Sequence, residues 1–394
     1  MMPVQPIYDN LEALIEWASK PETHSTNDRE MGAAFLLCYK GSEATFNAYR
    51  REIERFIQWQ EIIQKKTLKA MERQDIEAFI DFCCSPPVEW IGLQMYSRFI
   101  NLGGFRQPNE HWRPFVIRAG KHQNTQIKPA DYVLSQSAQE SIFRILSTFF
   151  TFLENEDYVF QNPVKRIRQK NRYIRRTQSQ AMVRRLSELQ WDYVIETAEI
   201  MADAEQHHER TLFIMTALYS MYLRISELTA SDRWTPRMSH FFCDQDGHWW
   251  FKTVGKGNKE RDITVSHSMK KALSRYRESL SLPPLPIPSD QKPLLPKQRG
   301  QGGITSTRHL RRIVQDCFDR SMARLQHDGF KDEALQLSAA TVHWLRHTGI
   351  SDDVKIRPRE HVRDDAGHTS SAITDKYIDI DRRERHASAI NKSL

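Results

Sequence analysis

The stretch TVHWLRHTGISDDVKIRPREHVRDDAGHTSSAITDKY, residues 341–377, sets polar residues in an order that a packed fold would gather into one site. His343 and Arg346 are three residues apart, so on a helix both project from one face. His368 follows Gly367, and Tyr377 lies nine residues beyond it. Upstream, LRISEL at 223–228 puts Arg224 at the close of a helix, with Glu227 three residues on. Between these, VGKGNKER at 254–261 reads as a hairpin turn with Lys256 at its tip and Lys259 nearby.

The periods around these residues are mixed. SELQWDYVIETA opens with Ser187 and Gln190 in a capping-box pattern, and a second helix is predicted through ERTLFIMTALYSMYL. HFFCDQDGHWWFKTVGKGNKERDITV holds three short aromatic or β-branched runs parted by an Asp246-Gly247 turn and the GKGNK turn, which predicts a three-stranded meander. The Pro-rich 281–303 segment reads as an extended loop, and helical patterns resume from about Ser306. In the first half, Phe46, Tyr49, Ile53 and Phe56 give one apolar helix face, and Ile142, Ile145, Leu146, Phe149, Phe150 and Leu153 give another. No period dominates 85–121, whose aromatics read as local packing. The expected fold is mainly α with a small antiparallel β-sheet.

At 394 residues the chain has room for two or three domains, and 39% hydrophobic with 27% charged residues is the balance of a folded protein. Mean hydropathy is −0.63. The longest near-apolar run, 211–223, is too short to span a bilayer, and the acidic amino terminus lacks a signal-peptide pattern, so a cytoplasmic protein without membrane contact is expected. Five scattered cysteines draw neither a disulfide framework nor a metal pattern. The charge is concentrated. Residues 1–164 balance at −4 and 186–394 at +2, whereas 165–185 carries nine basic groups and no acid. Such a run repels itself unless it meets anions, which makes double-stranded DNA the first partner to consider. Lys165, Arg166, Arg168, Lys170, Arg172, Arg175 and Arg176 are the candidate phosphate contacts of this linker.

The order Arg224, Lys256, His343, Arg346, His368, Tyr377 resembles the tyrosine recombinases, or phage integrase family. The family pattern is an R-x-x-E-L helix end, a hairpin lysine, an H-x-x-R pair, a second histidine and a nearby tyrosine. One departure is Ala366, where the family usually has leucine before Gly-His. The resemblance implies a helical core-binding (SAM-like) domain over 41–164 with an insertion at about 85–124. It further implies a basic linker at 165–185 and a tyrosine-recombinase catalytic domain over 186–394, preceded by an N-terminal extension, 1–40. It implies a site-specific recombinase working as a homo-tetramer on paired DNA sites, with possible accessory DNA-bending or directionality factors. The tail beyond Tyr377 would be a helix packed into the neighbouring protomer.

The chemistry can also be argued from the side chains. Cutting a phosphodiester requires charge to be offset on two nonbridging oxygens, and Arg224 and Arg346 are guanidinium forks suited to that. Tyr377 is the candidate nucleophile, His343 the group that accepts or relays its proton, and His368 a hydrogen-bond donor to the phosphate. Lys256, with Lys259 as rival and possible DNA contact, would protonate the leaving 5′-oxygen. This set needs neither metal nor cofactor, and no Walker A, HExxH or EF-hand motif is present. The adjacent acids Asp352-Asp353 and Asp364-Asp365 read as solvated or ion-paired. Two other readings share the pattern: a non-catalytic DNA-binding or architectural protein, and a type IB topoisomerase or telomere resolvase.

Overall fold

The computed structural model describes residues 4–19, 27–117, 128–167, 184–255 and 258–368, with Ser370, Thr374 and Ile390; the side chain of Arg166 is outside this set. The chain divides into two compact units, Met1–Ser179 and Gln180–Leu394. Among the described residues no helix is long and apolar enough to cross a membrane.

The first unit is built on helices α1 (Leu11–Ala18), α2 (Asp28–Leu37), α3 (Glu43–Trp59), α4 (Arg73–Cys84) and α5 (Gln136–Asn155). Phe46, Ile53 and Phe56 of α3 meet Ile142, Ile145, Leu146, Phe149 and Phe150 of α5 in one core, as the two apolar faces predict. The sequence reads residues 1–40 as an N-terminal extension, and its Val4, Tyr8, Leu14, Phe35 and Leu36 lie in this same core. The reason is a buried acid. Glu54 of α3 accepts the backbone N–H groups of Ile7 (2.7 Å) and Tyr8 (3.0 Å) and pairs with Arg98 at 2.9 Å, pinning the amino-terminal segment and the 85–117 region to one helix. In that region β1 (Ile91–Gly92) pairs in parallel with β4 (Phe115–Val116), and β2 (Phe99–Leu102) forms a hairpin with β3 (Phe105–Pro108). Its Trp90 and Phe115 are buried, so these aromatics pack locally.

In the second unit, α6 (Glu188–Ala204) starts at the predicted Ser187–Gln190 capping box. It is followed by α7 (Glu209–Ser220) and by strands β5 (Phe241–Cys243), β6 (Trp249–Val254) and β7 (Glu260–Thr264). The strands form an antiparallel meander in the order β5-β6-β7. Gly247 takes the left-handed conformation (φ 85°) in the first turn, and Asp244 accepts the N–H groups of Asp246 and His248 there. Helices α8 (His267–Ser279), α9 (Thr307–His327), α10 (Lys331–Ser338), α11 (Val342–Asp353) and α12 (Arg359–Ala366) complete it. Phe213, Ile214, Leu218, Phe251, Ile263, Leu310, Val314 and Leu345 share its core.

Helix α11 lies so close to α7 that a Cβ on Gly349 would sit 2.1 Å from the carbonyl oxygen of Tyr219. This approach brings the H-x-x-R turn of α11 against the chain that follows α7. Gly349→Ala is therefore expected to destabilise the protein by about 1–3 kcal/mol through overpacking. Urea unfolding tests this; a wild-type midpoint would contradict the close approach.

Candidate active site

Helix α7 ends at Ser220, and Tyr222 then turns the chain through a positive φ of 50°. Arg224 follows at the start of a short turn over Ile225–Glu227. Glu227 is 2% exposed, and a buried carboxylate must be matched by donors. It accepts the backbone N–H of Arg224 at 2.8 Å and the Arg224 Nη1 at 3.1 Å. It also receives both terminal nitrogens of Arg261, on β7, each at 2.9 Å. Burial alone pushes the Glu227 carboxyl up, but the Arg261 fork and the Arg224 donors outweigh it and hold the group below the usual carboxylate range. A Cβ on Gly255 would meet Arg261 Nη1 at 2.8 Å and Arg224 Nη1 at 3.7 Å, so the β6–β7 turn packs directly on this cluster.

Arg346 is 2% exposed on α11. One of its terminal nitrogens, Nη1, donates to the Tyr222 carbonyl, and the other, Nη2, donates to the Ala366 carbonyl at 2.6 Å. Ala366 ends α12. Beyond it, Gly367 sits at φ 63°, with its N–H on the Asp364 carbonyl (3.0 Å) and the His368 N–H on the Arg363 carbonyl (3.1 Å), a Schellman closure. The glycine of the Gly-His step is thus the residue that lets the chain reverse, and the reversal delivers His368 beside Arg346. Half-buried, the His368 ring has its Nδ1 at 2.9 Å from Thr374 Oγ1.

His343 is exposed on the same helix, and its ring meets that of His347 edge-on at 4.4 Å. Partial burial of its ring, and then the charges of Arg346, Arg224 and Arg184, lower the His343 pKa. His368 is pushed down to about 4 by burial and then by Arg346, Arg224 and Arg261. His347 also falls to about 4, through burial and then His343, Arg346, Arg184 and His368. The imidazoles are therefore neutral near pH 7, in a field of guanidinium charge that an incoming phosphate would offset.

Arg224, His343, Arg346 and His368 thus come together within the second unit. Lys256 and Tyr377 lie outside the described residues, as do the tail beyond Tyr377 apart from Ile390 and the linker positions Arg168, Lys170, Arg172, Arg175 and Arg176. Lys259 is exposed in the hairpin turn, its carbonyl accepting the Gly255 N–H at 2.8 Å. Lys165 pairs with Glu154 at 2.7 Å, so part of its charge is met within the protein. The adjacent acids are hydrogen-bonded: Asp352 accepts the Tyr219 hydroxyl (3.0 Å), Asp353 and Asp365 take Arg357, and Asp364 takes Arg363. Arg261 and Arg357 had no local signal in the sequence, and Asp365 was marked only as half of the adjacent acidic pair with Asp364. His347 had one, because it stands four residues after His343 on the same helix face.

Among solved structures, the XerH site-specific recombinase bound to difH substrate in a pre-cleavage complex matches at 13% identity and a TM-score of 0.52, over 98% of this chain and 99% of that one. A lambda integrase dimer bound to a COC′ core site matches at 14% identity and 0.52, over 95% and 86%. The Tn1549 transposon integrase in complex with a circular intermediate DNA matches at 13% and 0.53, over 93% and 100%. No protein-family model and no curated protein matches the chain. The chain has the fold of the tyrosine recombinases.

The lowered histidines carry a stability consequence. An unfolded histidine binds a proton below about 6.5, whereas folded His347 stays neutral down to about 4. In that window the unfolded state binds more protons, so stability falls as pH drops from 6.5 toward 4. Thermal melts at pH 7, 6 and 5 should show a shallower decline for His347→Gln than for wild type. Equal declines would contradict the burial of a neutral His347.

Proposed function

We propose that the protein is a DNA strand transferase, a site-specific recombinase that cuts and rejoins duplex DNA through a 3′-phosphotyrosyl linkage at Tyr377. The observation that carries this reading is the meeting of Arg224, Arg346, His343 and His368 in one unit, on a fold shared with DNA-bound recombinases. The guanidiniums of Arg224 and Arg346 clamp the nonbridging oxygens of the scissile phosphate and stabilise the five-coordinate transition state. The Tyr377 oxygen forms a bond to phosphorus as the bond to the 5′-oxygen breaks. The phenolic proton passes to His343, whose imidazole is neutral before DNA arrives. The leaving 5′-oxygen takes a proton from Lys256, and His368 donates a hydrogen bond to the phosphate.

The bond energy stays in the phosphotyrosyl linkage, so a 5′-hydroxyl from another strand can reverse the attack without ATP. Exchange between two duplexes engages four strands and hence a tetramer of protomers, one per strand. The role this chemistry serves is integrating or excising a mobile element, with the core-binding domain and the basic linker holding the duplex. Directionality factors would act on that assembly.

Trapping on a nicked suicide duplex in EDTA, scored by a denaturing-gel shift, tests the reading. Wild type should give a covalent adduct, and Tyr377→Phe should give none while binding DNA within about twofold of wild type. Absence of an adduct on DNA that the protein binds, or an adduct that survives in Tyr377→Phe, would contradict it. For the linker, changing Arg166, Arg168, Lys170, Arg172 and Arg175 to glutamine should flatten the salt dependence of binding, by about 0.9 in log–log slope for each phosphate no longer neutralised. An unchanged slope would remove the linker from the interface.

A further inference from the structure

Arg346 presents its fork through two carbonyls, and one side chain reaches the neighbourhood of both, at the Tyr222 hydroxyl and at the carboxylate of Asp365, the residue before Ala366. That side chain is Arg357, in the connection between α11 and α12. Its Nη1 donates to the Tyr222 hydroxyl at 2.9 Å and to Asp353 at 3.1 Å, and its Nη2 donates to Asp365 at 2.6 Å. The Tyr222 ring is fully buried, and its hydroxyl also donates to Asp353. Asp365 is the residue before Ala366. Its other carboxylate oxygen accepts the Thr264 backbone N–H (3.2 Å) at the end of β7, and its own carbonyl accepts Arg261 Nε at 3.0 Å.

The consecutive carbonyls of Asp365 and Ala366 therefore meet Arg261 and Arg346. Carbonyls at a helix carboxyl end have no partner within the helix and attract cations, so these bonds are the ones the end of α12 requires. Within the strand-transferase reading, we propose that Arg357 and Asp365 are positioning residues for cleavage: they hold the Tyr222 and Ala366 carbonyls so that Arg346 faces the scissile phosphate. Arg357 ties the end of α7 to α12, and Asp365 ties α12 to the β6–β7 hairpin. A shift in either carbonyl would swing the Arg346 fork. Misplacement of a charge-stabilising group by about 1 Å costs up to about a hundredfold in rate.

The test compares full-length wild type, Arg357→Gln, Arg357→Lys and Asp365→Asn on a nicked duplex selected for binding. The scissile position carries either a normal phosphate or a methylphosphonate, in which a methyl group replaces one charged oxygen. A group that acts through Arg346 matters less when that charge is gone. Arg357→Gln is expected to form the Tyr377 adduct at least about tenfold more slowly on the phosphate and within about threefold of wild type on the methylphosphonate. DNA affinity should be unchanged. Arg357→Lys keeps the charge but cannot fork to Tyr222 and Asp365 together, so it should share the defect. A deficit equal on both substrates, or wild-type rates on the phosphate, would overturn the proposal. Should Arg357→Gln fail to fold, Asp365→Asn and Arg357→Lys carry the same comparison. Absence of an adduct from wild type itself would instead defeat the strand-transferase reading, and the positioning role with it.

Discussion

A guanidinium that is 2% exposed cannot rely on water, and Arg346 meets that constraint with the carbonyls of Tyr222 and Ala366. A buried charge left unmatched costs several kcal/mol, so the backbone around it must supply acceptors at defined places. Much of the second unit follows from that demand. Tyr222 takes a left-handed conformation that a tyrosine rarely adopts, which turns its carbonyl toward α11. Gly349 allows α11 to come near enough to α7 for the bond to form, and Gly367 ends α12 so that its last carbonyl points to the same fork. The reversal at Gly367 then leaves His368 beside the arginine whose bonds required it.

A second buried charge organises the other side. Glu227 faces Arg224 and both nitrogens of the Arg261 fork, which joins the turn after α7 to β7. Arg261 also reaches the Asp365 carbonyl, so the two charge clusters share α12. Burial, and then the guanidinium charge gathered around them, keeps the imidazoles of the site neutral. A phosphate bound there would supply the counter-charge, which would couple its binding to protonation of the histidines.

Where periodicity and turn chemistry decide structure, the sequence is legible. The apolar faces of α3 and α5, the Ser187 capping box, the Asp246-Gly247 turn and the shared face of His343 and Arg346 all rest on neighbours within a few residues. The rest depends on pairs that meet only in three dimensions. Glu54 falls in a polar-looking stretch of α3, RREIER, and nothing local marks it as the fully buried acid that draws residues 7 and 8 into the core. Glu227 and Arg261 are 34 residues apart, and Tyr222 and Arg357 are 135 apart. The 85–117 region is built from strands of two and four residues, too short for a period to show.

The central claim is that Tyr377 carries the DNA during strand exchange, and the bond itself can be identified. Wild-type adduct on a suicide duplex, digested with nuclease and trypsin, should yield by mass spectrometry the peptide containing Tyr377 with a nucleotide attached through the tyrosine oxygen. A nucleotide on any other residue, or an unmodified Tyr377 peptide from an isolated adduct, would contradict the account.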